Sequence, residues 1–569
     1  MSPRATCRIC SGELELRVAG ASAPPTADAM SPTLHDPGRH GDLSRCRECG
    51  TVHQPALPSG PALFDLYRDM SDAAYLDEEA GRRATANRLL DLVAGHNPDG
   101  RLLDVGCGHG LLLDEARRRG YEATGLELSR SAARYARETL ALDVREEPFE
   151  DFRDAEGFDV VVLADVIEHL DNPNAALDAC AGLLQPGGVL CVVTPDPSSP
   201  TALLAGRRWW GFVPAHTNLL PRRTLRELLS VRGLVISTDV GLVRTFSAAY
   251  WVQGFAQRLG KVGDAVTRLA ERLPGDASLS LSLGDERVVL AHRVEVRRAA
   301  QPVLFDRGGD QKVHVVLPAY KAGMTVAQVV DEMPDGAADR ALLVDDFSPD
   351  DTSEVALALG LDTLRHPANR GYGANQKTCY VHALREGADV VVMVHADNQY
   401  DPALIPQMVE PILAGAADVV MGSRLLDDRA VQGGMPRWKW VGNRLLTAIE
   451  NRAFGAHFSE YHTGYRAFSA DFLRSIAFLR NSDEFVFDQE IFAQITARGA
   501  RVTEIAIPTR YFHEASSVSF PTSVKYGLRT LVVLARYRVD RKRSRWALLR
   551  RPAARPEALA RPEATLNPR

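Results

Sequence analysis

Short hydrophobic runs alternate with amphipathic stretches twice along this chain, and a polar gap separates the two series. Residues 62–95 carry helical periodicity. RLLDVG then reads as a strand, GLLLDEARRRG as a helix, EATGLEL as a strand and SRSAARYARETL as a helix. FDVVVLADV is a further strand, NPNAALDACAGLLQPGG a helix stopped by Pro and Gly, and VLCVVTP a strand. The pattern fades after about residue 240, and SLSLGDERVVLAHRVEV closes it with a pair of strands. RRAAQPVLFDRGGDQ (297–311) is polar and glycine-containing, as a linker is. A second series follows: VHVVLPAY, a helix around TVAQVVDEM, ALLVDDFSP, a helix around TSEVALALG, and LDTLRH. A helix at 375–386, ADVVVMVHADNQYDP and ADVVMGSRL continue it. Strand-helix alternation predicts an α/β protein of two doubly wound domains, each a mostly parallel sheet covered on both faces. The two series do not resemble each other, so neither is a copy of the other.

Composition narrows this little. A chain of 569 residues is too long for one core. Lys+Arg 67 against Asp+Glu 73 gives a net charge of −6, so no overall basic field points to nucleic acid. No apolar run is long enough for a transmembrane helix. MSPRATCRICSGE lacks the apolar core of a secretory signal, so the expected location is the cytoplasm.

The cysteines change the picture more. Eight in so long a chain exclude a disulfide scaffold. Four of them form two C-x-x-C pairs, Cys7 with Cys10 and Cys46 with Cys49, each followed closely by glycine. Two such knuckles suit a structural Zn²⁺ held by four thiolates, with no position left open for catalysis. The Pro/Gly/Ser-rich segment between them reads as a loop, whose closure cost grows only logarithmically with length. This predicts a small zinc-ribbon-like element over residues 1–60. Cys107, Cys180, Cys191 and Cys379 stand singly and read as buried small residues.

LLDVGCGHG sets Asp104, Gly106, Gly108 and Gly110 at a strand-to-helix turn, where glycine admits a ligand and the helix start offers free N–H groups. The next strand ends in Glu127, whose carboxylate can accept two hydrogen bonds from a ribose diol. The pair predicts a nucleoside-type cofactor. No Lys or Arg follows the turn, and Asp104 would repel a pyrophosphate. On CRIC…CREC, LLDVGCGHG, TGLELS, FDVVVLADVIEHL, LLQPGGVLCVVTP and PAHTNLLPRRTL, residues 1–299 resemble the class I S-adenosylmethionine-dependent methyltransferases. The likeness is to the bacterial subgroup with an N-terminal four-cysteine zinc element. It implies a Rossmann-like fold with Asp104, Gly106 and Gly108 facing the methionyl part and Glu127 the ribose. Glu150 and Asp151 would lie near the adenine, and Asp165 would close the pocket. Some members of that group methylate sugars. A hydroxyl or acidic-carbon acceptor needs a base, for which His169 (DVIEHL) and His216 (PAHTNLL) are the candidates. His169 can equally be a helix-packing residue. Trp209 and Trp210 either line a sugar subsite or pack.

In the second series, VVLPAY and LLVDDFSPDDT put Asp345 and Asp346 at the C-terminal end of a parallel strand, the ligand edge of open α/β sheets. A carboxylate there can accept a base N–H. Asn369, Gly371 and Gly373 (NRGYGANQK) form a permissive loop before a helix, and VHADNQYDP delivers Asp397 and Asp401 beside a would-be diphosphate. A hard cation bridging carboxylate and diphosphate neutralises a departing nucleotide. With MGSR, HTGYRAFS and FVFDQE added, residues 310–530 resemble the family-two glycosyltransferases, in the dolichyl-phosphate-mannose-synthase-like branch. The resemblance implies a GT-A-type fold, a nucleotide-diphosphate-sugar donor, Mg²⁺ or Mn²⁺, and inversion at the anomeric carbon. Pro318, Ala319, Tyr320, Asp345 and Asp346 would meet the nucleotide, Asp397 the metal, and Arg424 a phosphate. Two positions depart from the pattern. His395 stands where an aspartate is usual, and can itself ligate Mn²⁺. His462 stands where many members carry aspartate, which unsettles the base. A lipid-phosphate acceptor needs none; for a hydroxyl acceptor Asp488 and Glu490 are the candidates. Asp488 can instead hold Arg466 in an ion pair.

The expected organisation is a zinc element (1–60), a methyltransferase domain (61–299), a linker (300–311), a glycosyltransferase domain (312–535) and a basic, partly disordered tail (536–569). SVKYGLRTLVVLARYRVDRKRSRWALLRRP can lie on an anionic membrane surface at the inner face, or be a docked helix with a solvated tail. The functional expectation is a bifunctional enzyme acting on one glycan or glycolipid. The alternative is that one half is silent and serves as a binding module, the glycosyltransferase half being the suspect through His395.

Overall fold

The computed structural model describes residues 6–21, 26–31, 40–256, 278–300, 302, 307–427, 435, 437–508, 520–540, 545–553 and 559. Part of the expected linker (301, 303–306) and much of the tail (541–544, 554–558, 560–569) lie outside the described residues. The chain divides into two units, Met1–Leu229 with Ile236–Arg293, and Ser230–Val235 with Val294–Arg569.

The first unit opens with β1 (Leu14–Val18), β2 (Leu43–Cys46) and β3 (Val52–His53). Its main strands are β4 (Arg101–Val105), β5 (Glu122–Leu126), β6 (Asp143–Arg145), β7 (Phe158–Ala164) and β8 (Leu184–Pro195). Then come β9 (Asn218–Leu219), β10 (Leu234–Gly241), β11 (Arg244–Ser247), β12 (Ser278–Leu281) and β13 (Glu286–Arg293). Seven of them form one sheet in the order β10-β13-β8-β7-β4-β5-β6. β4 pairs in parallel with β5 and β7, and β7 with β8, while β13 runs antiparallel to β8. Central strands such as FDVVVLA are near-continuous hydrophobic runs because helices cover both faces. Ser129 and Asn172 cap the helices Arg130–Glu138 and Pro173–Leu183, each side chain accepting a backbone N–H of the first turn. The latter helix ends at Leu183, short of the expected QPGG stop, because Leu184 is already extended and opens β8. A second small sheet, β1-β2-β3-β9, carries the cysteine knuckles.

The second unit holds β14 (Val313–Ala319), β15 (Arg340–Asp345), β16 (Asp362–Arg365), β17 (Val390–Met393), β18 (Val419–Ser423), β19 (Arg466–Ser469) and β20 (Val502–Ala506). They form one sheet, β16-β15-β14-β17-β19-β18-β20, in which β19 runs antiparallel to both neighbours. Two doubly wound α/β units are therefore present.

Two boundaries differ from expectation. Val294 and Val296 pack against the second unit's core, Arg297 pairs with Thr363 through the backbone, and Arg298 binds Asp362 and Glu386. The first unit thus ends at Arg293, since residues 294–299 gain hydrophobic and ionic partners in the second. The described part of the tail is not a solvated basic arm either. Residues 536–539 finish the helix Phe520–Val539, and Leu548, Leu549, Ala553 and Leu559 are buried. Arg480 and Gln494 donate to the carbonyls of Ala547 and Leu548.

Candidate active sites

Tight turns bring the four knuckle cysteines together: Ser11 N–H donates to the Cys7 carbonyl and Gly50 N–H to that of Cys46. Their sulfurs all lie within 4.8 Å of one another, with Cys7–Cys49 at 3.6 Å and Cys10–Cys46 at 3.5 Å. A tetrahedron with 2.3 Å metal–sulfur bonds has edges of about 3.8 Å, so the set fits Zn²⁺. His53 Nε2 sits 3.2 Å from Cys7 Sγ, a neighbour that spacing did not reveal.

In the first unit, a cavity of about 760 Å³ is lined by Asp104, Gly106, Gly108, Glu127, Glu150 and Asp165 together with His169 and His216. Sequence-distant residues thus converge. The lining omits Gly110 and Asp151. Gly110 instead starts the helix Leu111–Arg118, and Asp151 is exposed. Glu127 accepts from Gly108 N–H and Ser129 N–H, both at 2.7 Å. Asp104 is buried, and burial together with the Glu127 charge pushes its carboxyl up to about 8. Asp165 is held by Arg244 at 2.6 Å, which also grips Glu286.

His169 and His216 meet edge to face, with ring centroids 4.9 Å apart. His216 Nδ1 faces the Gly211 carbonyl at 2.7 Å; His169 Nδ1 faces Ala215 O at 3.1 Å and the Tyr67 hydroxyl at 2.8 Å. A nitrogen facing a carbonyl must carry the proton, which leaves each Nε2 a lone pair. Burial pushes His169 down to about 3 and His216 to about 4, so both imidazoles are neutral near pH 7. Glu168, unassigned from sequence although it precedes His169, adds a third donor within 4.8 Å and leaves Oε1 buried without a hydrogen-bond partner. This set could hold a divalent cation. Trp209 and Trp210 both donate to Asp285 Oδ2, at 2.7 and 2.6 Å; Trp209 is buried and the cavity touches both.

The second unit departs further from expectation. Asp345 is fully buried, accepting from Ser348 N–H at 2.9 Å and the Ser353 hydroxyl at 2.6 Å. Asp346 accepts from Arg370 and Gly371 N–H at 2.8 Å and pairs with His366 at 2.7 Å. Both carboxylates therefore hold the loops that shape the edge. Asn369 joins them by donating to the Asp346 carbonyl. A Cβ on Gly373 would lie 2.3 Å from Ser482 O, and one on Gly371 2.8 Å from Asp483 O, so those glycines serve close packing of the protein's own backbone.

Arg424 is likewise engaged. Its guanidinium grips the Glu460 carboxylate through Nε and Nη2 and donates to His462 O at 2.8 Å. His462 lies inward, 3.1 Å from Glu450 and 3.2 Å from the Tyr526 hydroxyl, a packing position more than a substrate contact. Arg466 is fully buried and pairs with Asp488 at 2.8 Å, the ion-pair option for that aspartate. Glu490 accepts from Ser482 N–H. His395 Nε2 meets the Tyr372 hydroxyl at 3.2 Å, and its ring walls Gly464. Among the described residues, neither cluster of three or more metal-type donors contains His395 or Asp397. Pro318 and Ala319 end β14, and Tyr320 beyond them is half exposed.

Six described non-glycine residues have left-handed φ, and four follow strands at these two sites: Asp165 (57°), Lys321 (56°), Phe347 (61°) and Asn398 (57°). Strain of this kind costs roughly 1–3 kcal/mol each and concentrates at functional edges.

Comparisons with known proteins agree with this division. A methyltransferase-domain family matches residues 77–238, and glycosyl transferase family 2 matches residues 314–477. A ubiquinone biosynthesis O-methyltransferase of Bradyrhizobium sp. is 32% identical over 191 residues, covering 31% of this chain and 74% of that protein. A UDP-N-acetylglucosamine–dolichyl-phosphate N-acetylglucosaminyltransferase of Methanococcus voltae is 25% identical over 237 residues, covering 39% and 93%. Among solved structures, glucosyl-3-phosphoglycerate synthase from Mycobacterium tuberculosis aligns with 20% identity and a TM-score of 0.33, covering 41% and 81%. The chain is a two-domain protein with a methyltransferase domain in its first unit and a glycosyl transferase family 2 domain in its second.

Proposed function

We propose that this chain is a bifunctional enzyme of glycan or glycolipid assembly. The first unit transfers a methyl group from S-adenosylmethionine to a sugar-bearing acceptor. The second moves a sugar, with inversion, from a nucleotide-diphosphate donor to a lipid-phosphate or glycan acceptor. The observation that carries the reading is the single cavity joining Asp104, Gly106, Gly108 and Glu127 on one side to His169 and His216 on the other. Bound there, S-adenosylmethionine would supply an electrophilic methyl on sulfur. Asp104 and Glu127 would hold its polar parts, and the enclosing walls orient acceptor and donor in line. His216 Nε2, neutral and unprotonated, can take a proton from an acceptor hydroxyl. In the second unit Asp397 would bind the cation, with donor phosphates completing its shell. The test is a mass-spectrometric screen of nucleotide-sugars and acceptors, run with and without S-adenosylmethionine. Methylated and glycosylated products are expected, and turnover in one half alone would make the other a binding module.

Zinc at the knuckles is part of the same reading. Metal analysis of the purified chain is expected to give one zinc per chain, and Cys46→Ser to release it with earlier unfolding of the first unit. A parent protein without zinc would end that assignment.

Two helices support contact with a membrane surface. Helix Arg437–Phe454 exposes Val441, Leu445 and Ile449, and helix Phe520–Val539, packed against it, exposes Leu528, Leu531, Val532 and Val539. Cations stand near these stripes (Arg444, Arg452, Arg536 and Arg538, with Lys525 and Arg529 paired to Glu484), while Glu450 is buried. No helix among the described residues is long and apolar enough to cross a bilayer. Apolar stripes edged with cations suit an anionic lipid surface. The contact therefore belongs to these faces, and not to the tail. Vesicles of anionic lipid are expected to sediment the chain, less so at high salt. Leu528→Glu with Val532→Glu should cut that binding at least about tenfold, which is about 1.4 kcal/mol. Equal binding to neutral vesicles would count against the charge argument.

A further inference from the structure

We infer that the cysteine knuckle is a strut for the acceptor side of the methyl-transfer cavity, and that Gln54 is the residue through which it positions His216. The inference rests on the proposed role of that cavity.

His216 stands on residues 211–217, between the short helical turn Gly206–Arg208 and β9, and no strand or helix contains it. What holds this segment comes from the knuckle. β3 pairs antiparallel with β9, His53 opposite Asn218. One residue on, Gln54 is 2% exposed. Its backbone N–H donates to Thr217 O at 3.2 Å. Its side-chain Nε2 lies 2.7 Å from both Val213 O and His216 O, so its two protons bridge the two ends of the segment. Gly41 N–H donates to Oε1 at 2.8 Å, which fixes the amide's orientation.

A second arm runs through His53. Its Nε2 rests against Cys7 Sγ, and its Nδ1 meets Asn218 Oδ1 at 2.7 Å. Asn218 then donates through its side chain to Leu170 O and through its backbone to Glu168 O, at 2.6 and 2.9 Å. On the far side, Thr224 donates to Cys49 O at 2.7 Å. Both histidine-bearing segments, 168–170 and 213–218, thus hang from residues that follow the second cysteine pair. The buried carbonyls they satisfy have no solvent alternative, and leaving two unmet carries a substantial cost. A knuckle that served only its own local fold would not need Gln54 to reach across to His216.

The test uses the full-length protein and Gln54→Leu, which keeps the shape of the side chain and removes its donors. Amide hydrogen exchange of residues 211–219 should accelerate at least about tenfold, while the amides of β4 and β7 keep their protection. Affinity for S-adenosylhomocysteine should stay within about twofold, because Asp104, Gly106 and Glu127 are untouched. In protein with labelled histidine, the His216 ring resonance, assigned from His216→Gln, should shift or broaden. With an acceptor from the product screen, kcat should fall at least about tenfold at unchanged KM for S-adenosylmethionine. Gln54→Glu, isosteric but aiming a carboxylate at the same carbonyls, should behave alike, and serves if the leucine variant does not fold. Unchanged exchange at 211–219 and an unmoved His216 resonance in either folded variant would overturn the strut. A released segment with full methyl transfer in His216→Gln would keep the strut and remove His216 from the chemistry.

Discussion

The Gly106→Val substitution is expected to weaken S-adenosylmethionine binding at least about a hundredfold, or about 2.7 kcal/mol. Gly106 has φ 69°, a left-handed conformation that costs a β-branched residue at least roughly 1–2 kcal/mol. A Cβ there would lie 2.7 Å from Val166 Cγ2, inside van der Waals contact. The turn cannot drift to relieve this, because Gly106 N–H and Cys107 N–H both donate to Leu126 O, at 2.8 and 3.0 Å. Any shift therefore moves Asp104 and Glu127 relative to each other, and both line the cavity. Gly108→Ala is the matching control. Its φ is also positive, at 55°, yet the nearest atom to a new Cβ is Tyr75 Oη at 3.9 Å, so only the backbone strain remains. Calorimetric titration of the full chain with S-adenosylmethionine should separate the two. Retained affinity in Gly106→Val would detach the glycine turn from cofactor binding.

What the sequence discloses at each site follows a physical rule. The glycine turn, the cysteine pairs and the runs such as VVVLA are local: backbone freedom, ligand spacing and burial on both faces act within a few residues. Asp104, Gly106, Gly108, Glu127, His169 and His216 could accordingly be named in advance and do share one cavity. Hydrogen-bond partners set by distant segments could not. Arg424 finds Glu460, Asp346 finds His366, and Trp209 and Trp210 find Asp285 only because loops far apart in sequence meet at a sheet edge. A motif reports that an arginine stands at a position, not which anion reaches it first. β19 was illegible for a related reason. RAFS is four residues long, and its antiparallel insertion between β17 and β18 depends on both neighbours. Gln54 carried no signal, since nothing local distinguishes an amide that bridges 162 residues of chain from one in solvent.

Asp488→Ala is expected to lower the stability of the glycosyltransferase unit by about 3–5 kcal/mol, the usual cost of stranding one partner of a buried ion pair. Arg466 has no exposed surface, and Asp488 accepts from its guanidinium at 2.8 Å and from Tyr372 and Gln376 as well. The other guanidinium contacts include the carbonyls of Thr463 and Tyr461 and the face of the Phe492 ring at 4.8 Å, none of which can neutralise it. Removing the carboxylate leaves a buried cation with no anion among these contacts. For a unit of this size the loss corresponds to a fall in melting temperature on the order of 10 °C. Asp397→Ala provides the contrast. Asp397 Oδ1 accepts from Gln399 N–H at 3.2 Å, a turn bond of the kind worth about 1 kcal/mol. That variant should keep its melting temperature within a few degrees while losing metal-dependent sugar transfer. Calorimetric scans of both variants, with transfer measured on the donor found in the product screen, decide the roles. A fully stable Asp488→Ala protein that has lost only turnover would make Asp488 the base after all, and Arg466 its positioning partner.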